Sequence, residues 1–279
     1  MITKQQILER AREWNLRPEI VEKDYVLGWL LAAIGAHREL GESWVFKGGS
    51  CLKKCYFETY RFSEDLDFSL LPQAAYTQAD LARQLREIVA EAHEASGIEL
   101  PEADERIDVR RNKQGQETFQ ARITYRGPLS MPGAPRLLLD ITRHEAVVDS
   151  PVRRPVSHAY PDEIDDAAVA AYSLEELFAE KTRALYERTR PRDLYDVMQL
   201  VENYISSIDL ARTRRMFREK CAAKSLAVPS GAELTQHVRA ADELATEWKN
   251  MLAHQLPALP RYGGPRRLKT VLSSLPAVG

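Results

Sequence analysis

At 279 residues, with 39 Lys and Arg against 41 Asp and Glu, the chain is near charge balance and long enough for one large domain or two modest ones. Near-neutrality excludes whole-molecule steering onto nucleic acid, so any RNA contact has to use local patches. Three cysteines, Cys51, Cys55 and Cys221, are an odd count without a disulfide framework and point to a reducing compartment.

In chain order, Thr3 is placed to cap a helix running to about Trp14. The opening residues do not read as a signal peptide. Pro18 restarts the chain into a helix over Glu19–Ala36, with Glu22, Lys23 and Asp24 expected on its solvated face. The longest apolar run, Gly28 to Ala36, is too short to cross a bilayer, so a soluble, cytoplasmic protein is expected.

The stretch from Trp44 to Ser69, WVFKGGSCLKKCYFETYRFSEDLDFS, carries the chemistry. Trp44-Val45-Phe46 reads as a short buried strand. Gly48, Gly49 and Ser50 follow, then a basic, helix-compatible segment from Cys51 to Tyr60. Asp65-Leu66-Asp67-Phe68 reads as a second strand. Residues two apart on a strand share a face, so Asp65 and Asp67 can converge on one hard cation. Mg²⁺ favours a few carboxylates plus substrate phosphates, and two glycines let a backbone approach those phosphates. The order strand, phosphate turn, helix, metal-binding strand points to nucleotide transfer. The histidines show no metal-ligand spacing, which disfavours a metal-dependent phosphoesterase.

Thr77–Ala95 reads as an amphipathic helix ended by Gly97. Ile107–Arg111 and Thr118–Arg126 read as strands joined by a polar turn at Gly115, and Gly127–Pro135 as a loop. Arg136–Ile141 is a short buried strand bearing Asp140, a carboxylate that needs a partner there or a place at a turn. Asp149–Pro161, rich in proline and arginine, is expected to be a linker or crossover, and the remainder to be helical. Ser173 with Glu176 makes a capping box. Lys181 falls inside the apolar stripe of that helix, so it either snorkels outward or faces anionic partners. Pro191 opens the next helix, with Asp193 at the edge of the apolar face and Asp196 well behind it. Leu210–Lys224 carries Arg212, Arg214, Arg215, Arg218, Lys220 and Lys224 against the single acid Glu219. That run is either a solvated face or an RNA-backbone patch.

Gly-Gly-Ser, a helix, then Asp-x-Asp resembles the nucleotidyltransferases of the DNA polymerase β superfamily. The fuller string Lys47-Gly48-Gly49-Ser50 to Arg61-Phe62-Ser63-Glu64-Asp65-Leu66-Asp67-Phe68 is similar to the AbiEii-type toxin family. Glu22-Lys23-Asp24-Tyr25, and Glu180-Lys181 followed by Arg192-Asp193-Leu194-Tyr195-Asp196, fit that family too. The resemblance spans roughly residues 18 to 200, with Ser50 to Asp65 slightly longer than the usual spacing. It implies an α+β fold, with a polymerase β-like core of mixed sheet and helices over 1–160. A helical C-terminal domain over 161–279 would contribute to the active-site cleft.

The implied activity is Mg²⁺-dependent transfer of a nucleoside monophosphate from an NTP to an RNA, a tRNA 3′ end, by the toxin of a toxin–antitoxin or phage-defence system with a cognate antitoxin. Asp65, Asp67 and Asp140 would form the metal set, and the same three with Lys181 and Asp193 the catalytic one. Lys47, Gly48, Gly49, Ser50, Arg61, Lys181 and Asp196 would bind nucleotide. Asp193 is the preferred late acid and Asp196 the second choice. Ser63 is placed where relatives are silenced by phosphorylation. The rivals are transfer to a protein or small molecule, and a non-catalytic nucleotide-binding regulatory module.

Overall fold

The computed structural model describes residues 1–58, 60–72, 74, 76–101, 107–111, 117–133, 135–164 and 166–262. They fall into two compact units: Met1–Val147 with Pro151–Tyr172, and Val148–Ser150 with the chain from Ser173. The fold class is α+β, as expected. The turn expected at Gly115 lies outside the described residues.

The first unit opens with α1 (Lys4–Glu13), capped by Thr3 in a reciprocal box with Gln6. Helix α2 (Pro18–Ala36) follows, then α3 (Leu40–Ser43), β1 (Trp44–Lys47) and α4 (Gly48–Cys51), which continues as a π-helical turn over Leu52–Tyr56. Next come β2 (Asp65–Leu70) and α5 (Gln78–Ser96), which ends on Gly97 in the left-handed region. The unit closes with β3 (Asp108–Arg111), β4 (Glu117–Thr124), β5 (Arg136–Thr142), β6 (Val152–Pro155) and β7 (Ala168–Ala171). One seven-stranded sheet joins them in the order β3-β4-β5-β2-β1-β7-β6. Strand β2 is antiparallel to β1 and parallel to β5.

Strand alternation sorts this sheet into an apolar face and a polar one. Phe46, Leu66, Phe68, Leu137, Leu139, Ile141, Phe119, Ala121 and Ile123 are all buried and occupy one face of the register. Phe46 and Phe68 meet with ring centroids 5.1 Å apart. The other face carries Lys47, Asp65, Asp67, Asp140, Gln120 and Arg122.

Two expectations are corrected here. Strand β6 lies in the stretch expected to be a linker or crossover, and β7 where helix was expected. The run Ala168-Val169-Ala170-Ala171 has little intrinsic strand preference; its conformation comes from pairing with β6 and β1. Gly35 lets α2 sit against this strand, since a Cβ there would lie 2.1 Å from the Ala168 carbonyl oxygen.

The charged residues of α2, expected on a solvated face, are largely covered. Glu22 and Asp24 are buried, at 1% and 3% exposure. Asp24 accepts from Lys54 Nζ at 2.7 Å and from Tyr160 at 2.9 Å, and Glu22 accepts from the Leu129 N–H at 2.6 Å. Lys23 pairs with Glu64 at 2.7 Å. Apolar residues surround most of α2, so its carboxylates are covered as well and need internal partners. Burial pushes the Asp24 carboxyl up, but Lys54, Lys53 and the two hydrogen bonds outweigh it and hold it below the ordinary range.

The second unit is helical: α6 (Leu174–Arg188), α7 (Pro191–Tyr204), a 3₁₀ turn, α8 (Leu210–Ala223), α9 (Gly231–Arg239) and α10 (Glu243–Leu252). Ser173 caps α6 by accepting from the Glu176 N–H at 3.2 Å. The Glu176 carboxylate turns elsewhere, to the Val148 N–H at 2.8 Å and to Lys220 at 2.9 Å. Much of the basic run on α8 is therefore internally neutralised. Lys220 is buried between Glu176 and Glu180, and Arg212 and Arg215 converge on Asp149 at 2.7 and 2.5 Å. Arg214 and Arg218 are exposed. Among the described residues no helix is long and apolar enough to cross a membrane.

Breaking the Asp24–Lys54 pair leaves a buried carboxylate without its ion-pair partner, which typically costs about 3–5 kcal/mol. Lys54→Met should lower stability by that order in urea unfolding, and adding Asp24→Leu should recover most of the loss. A single-variant loss below about 1 kcal/mol would contradict the burial.

His158 supplies a pH test. Burial first, then the Lys54 charge, push its pKa from 6.5 to about 4 against the opposing pull of Asp162. Between those values the unfolded chain binds a proton that the folded protein refuses. Stability therefore falls as pH falls through this window, by about 3 kcal/mol at its lower end. Thermal melts should show the slope flattened in His158→Phe.

Candidate active site

The polar sheet face is built by strand periodicity. Asp65 and Asp67 project from the same side of β2, roughly 6.6 Å apart along the strand, and both are half-exposed while Leu66 and Phe68 between and beyond them are buried. Register brings neighbours to Asp67 on both sides: Lys47 of β1 and Asp140 of β5. Adjacent strands are about 4.8 Å apart, so the expected third acid stands directly beside the second. Asp140 is half-exposed.

The glycine turn follows immediately from β1. Gly48 adopts φ +78°, where an L side chain is strained, and a Cβ there would lie 2.4 Å from Asp67 Oδ2. The absent side chain thus makes the space in which the Asp67 carboxylate rests against the turn. A Cβ on Gly49 would likewise meet the Arg61 guanidinium at 2.4 Å. Ser50 Oγ donates to the Asp65 main-chain carbonyl, tying the turn to β2. The N–H groups of this first helical turn precede any intrahelical acceptor, a disposition suited to anionic oxygens.

The far end of the same helical segment is clamped. Lys54 reaches Asp24, its carbonyl accepts from the Ser157 N–H at 2.7 Å, and Arg154 donates twice to the Cys55 carbonyl at 3.0 and 3.2 Å. Tyr56 donates to the Tyr172 carbonyl at 2.6 Å. A π-helical turn leaves main-chain groups out of the regular ladder; here the Lys54 and Cys55 carbonyls accept from the Ser157 N–H and the Arg154 guanidinium. Arg61 is 2% exposed, so the structure sets this cation inside the unit beside Gly49.

Lys47 and Asp140 both have protein partners. Lys47 forms an ion pair with Glu145, and both side chains are buried. Asp140 Oδ1 accepts from Gln120 Nε2 at 2.8 Å. Neither Glu145 nor Gln120 was anticipated. Gln120 was legible in principle, because Thr118, Gln120, Arg122 and Thr124 are the polar half of an alternating strand; Glu145 lies in a loop whose course no periodicity reports.

In the second unit, Lys181 is 7% exposed and its ammonium lies 2.8 Å from Asp196 and 3.5 Å from Asp193. Arg188 holds Asp193 with two hydrogen bonds, at 2.7 and 2.9 Å. Both acids are fully buried. The helical wheel had set Asp196 behind the apolar face, yet it makes the shorter contact with Lys181. Anionic partners, rather than snorkelling, accommodate the lysine.

Oxygen-only donors suit Mg²⁺, which keeps several waters and needs few protein carboxylates. Asp65 and Asp67 fit that requirement, with Asp140 beside them. Among the described residues no three or more His, Cys, Asp or Glu side chains already surround a single point as a metal cage would. A two-carboxylate site completed by substrate phosphate is the form these residues fit.

Comparison with known proteins agrees with the motif order. The family described as nucleotidyl transferase AbiEii toxin, type IV toxin–antitoxin system, matches residues 29–274. Among solved structures, MenT4, a nucleotidyltransferase toxin from Mycobacterium tuberculosis, is similar in fold with a TM-score of 0.60 at 18% identity, over 99% of this chain and 90% of that one. No curated protein sequence matches.

Gly48→Ala tests the turn. The added methyl collides with a short side chain and sits at positive φ, so a loss of about 1–3 kcal/mol in stability is expected. Any nucleotide binding by the folded fraction should fall sharply in calorimetric titration. Wild-type binding in this variant would show that the Asp67 contact with the turn is incidental.

Proposed function

Because this chain belongs to the AbiEii nucleotidyltransferase toxin family, we propose that it transfers a nucleoside monophosphate from an NTP to the 3′ end of an RNA, tRNA foremost. It would do so in the cytoplasm as the toxin of a toxin–antitoxin or phage-defence pair, held in check by a cognate antitoxin. The observation that carries the reading is the juxtaposition of the Gly48 turn with Asp67, and of Asp67 with Asp140, on one sheet face.

The RNA 3′-hydroxyl oxygen attacks the α-phosphorus; the new O–P bond forms as the α–β phosphoanhydride breaks, and pyrophosphate leaves. Gly48, Gly49 and Ser50 present main-chain N–H groups to the terminal phosphates, and Arg61 and Lys47 supply positive charge behind them. Lys47 and Lys181 each have carboxylate partners, so either one serves a phosphate by exchanging that partner. Asp193 and Asp196 hold the Lys181 ammonium in place. Asp140 accepts the proton released by the attacking hydroxyl. Asp65 and Asp67 are the carboxylates for Mg²⁺, with Asp140 in reach of the same site; when bound, the ion offsets triphosphate charge.

The test is incubation of the protein with total tRNA, Mg²⁺ and each α-³²P-labelled NTP in turn. Label on tRNA with wild type, lost by at least about 10³-fold in Asp65→Asn with Asp67→Asn, is the expected result. Label on the protein itself would replace RNA with a protein acceptor. Transfer surviving in the double variant would remove the two acids from the mechanism.

A further inference from the structure

We infer that Gln120 is a positioning residue for Asp140, holding that carboxylate in the orientation the transfer reaction uses. The inference rests on the role assigned to Asp140 above and extends it to a residue outside the motif set.

Gln120 lies on β4 directly opposite Asp140 and is 4% exposed. An amide side chain is symmetric in shape, so its orientation has to be fixed by its partners. Arg122 fixes it here. The guanidinium can only donate, and its Nη2 lies 3.1 Å from Gln120 Oε1. The oxygen end therefore faces Arg122 and the NH₂ end faces Asp140, donating to Oδ1 at 2.8 Å. Arg122 is itself anchored, with Nη1 on Asp108 Oδ2 at 2.6 Å. The result is a one-directional chain from Asp108 through Arg122 and Gln120 to Asp140, running across β3, β4 and β5 in register.

This chain commits one Asp140 oxygen to protein and leaves the other with no protein partner among the described residues, on the face shared with Asp65 and Asp67. The donated hydrogen bond requires an acceptor oxygen at Asp140, and it stops rotation of the carboxylate about its last bond. A packing role alone would not need the donor: any side chain of that volume able to accept from Arg122 would do.

Gln120→Glu separates the two roles. It keeps the volume and the acceptor for Arg122 but replaces the donor facing Asp140 with a carboxylate oxygen; Gln120→Leu removes both polar ends. Steady-state transfer to total tRNA should show kcat reduced about 10- to 100-fold in both variants. KM for NTP should stay within about twofold in both variants. Asp140→Asn run in parallel should be at least as impaired. Wild-type kcat in Gln120→Glu beside an impaired Asp140→Asn would overturn the inference while leaving the role of Asp140 intact. Wild-type kcat in Asp140→Asn would overturn both. A second readout needs no acceptor: the crystal structure of Gln120→Glu should show the Asp140 carboxylate rotated from its wild-type position, and an unmoved carboxylate would overturn the proposal.

Discussion

Pairing of Asp67 with Lys47 on one side and with Asp140 on the other is the constraint on which the site rests. Side chains alternate along a strand, so a one-residue slip of β2 would turn Asp65 and Asp67 into the apolar face and bring Leu66 and Phe68 out. The same buried residues that would suffer from that slip, Phe46, Phe68, Leu139 and Ile141, are those that prevent it. Core packing thus sets the positions of the acids to within a strand spacing, before any ligand is present. The glycine turn inherits this order, because it begins one residue after Lys47 and Gly48 has its missing Cβ against Asp67.

A second layer of restraint comes from α2. Its Asp24, itself held by Tyr160, reaches Lys54 at the end of the helical segment that carries the turn, while Ser157 and Arg154 from the loop and edge strand hold the Lys54 and Cys55 carbonyls of that segment. The turn is therefore gripped at its start by β2 and four to eight residues later by α2 and β6. Buried charged pairs contribute little net stability over an apolar replacement. Their value here is geometric, in fixing the helical segment behind a turn that itself has almost no side chains to pack.

Much of this was legible beforehand. Gly48-Gly49-Ser50 and Asp65-x-Asp67 named the turn and the acid strand, and the short apolar run Arg136–Ile141 placed Asp140 on a strand. What escaped had one cause: side chains whose meaning depends on distant partners. Glu22 and Asp24 look like solvated helix charges until the helix is seen to be covered on most sides. Ala168–Ala171 is a strand only because β1 and β6 pair with it. Lys220 reads as part of a basic face, yet Glu176 and Glu180, two helices earlier, enclose it. Asp196 was set behind the apolar face by periodicity, which cannot report that the second unit buries both faces of α7.

The central claim is that the turn after β1 and the acids of β2 form one nucleotide site. Its most direct test is a crystal structure with Mg²⁺ and an NTP whose α–β bridge cannot be cleaved. The account predicts the terminal phosphates against Gly48, Gly49 and Ser50, with a cation bridging them to Asp65 and Asp67. Nucleotide bound elsewhere, with this face empty under saturating ligand, would contradict it.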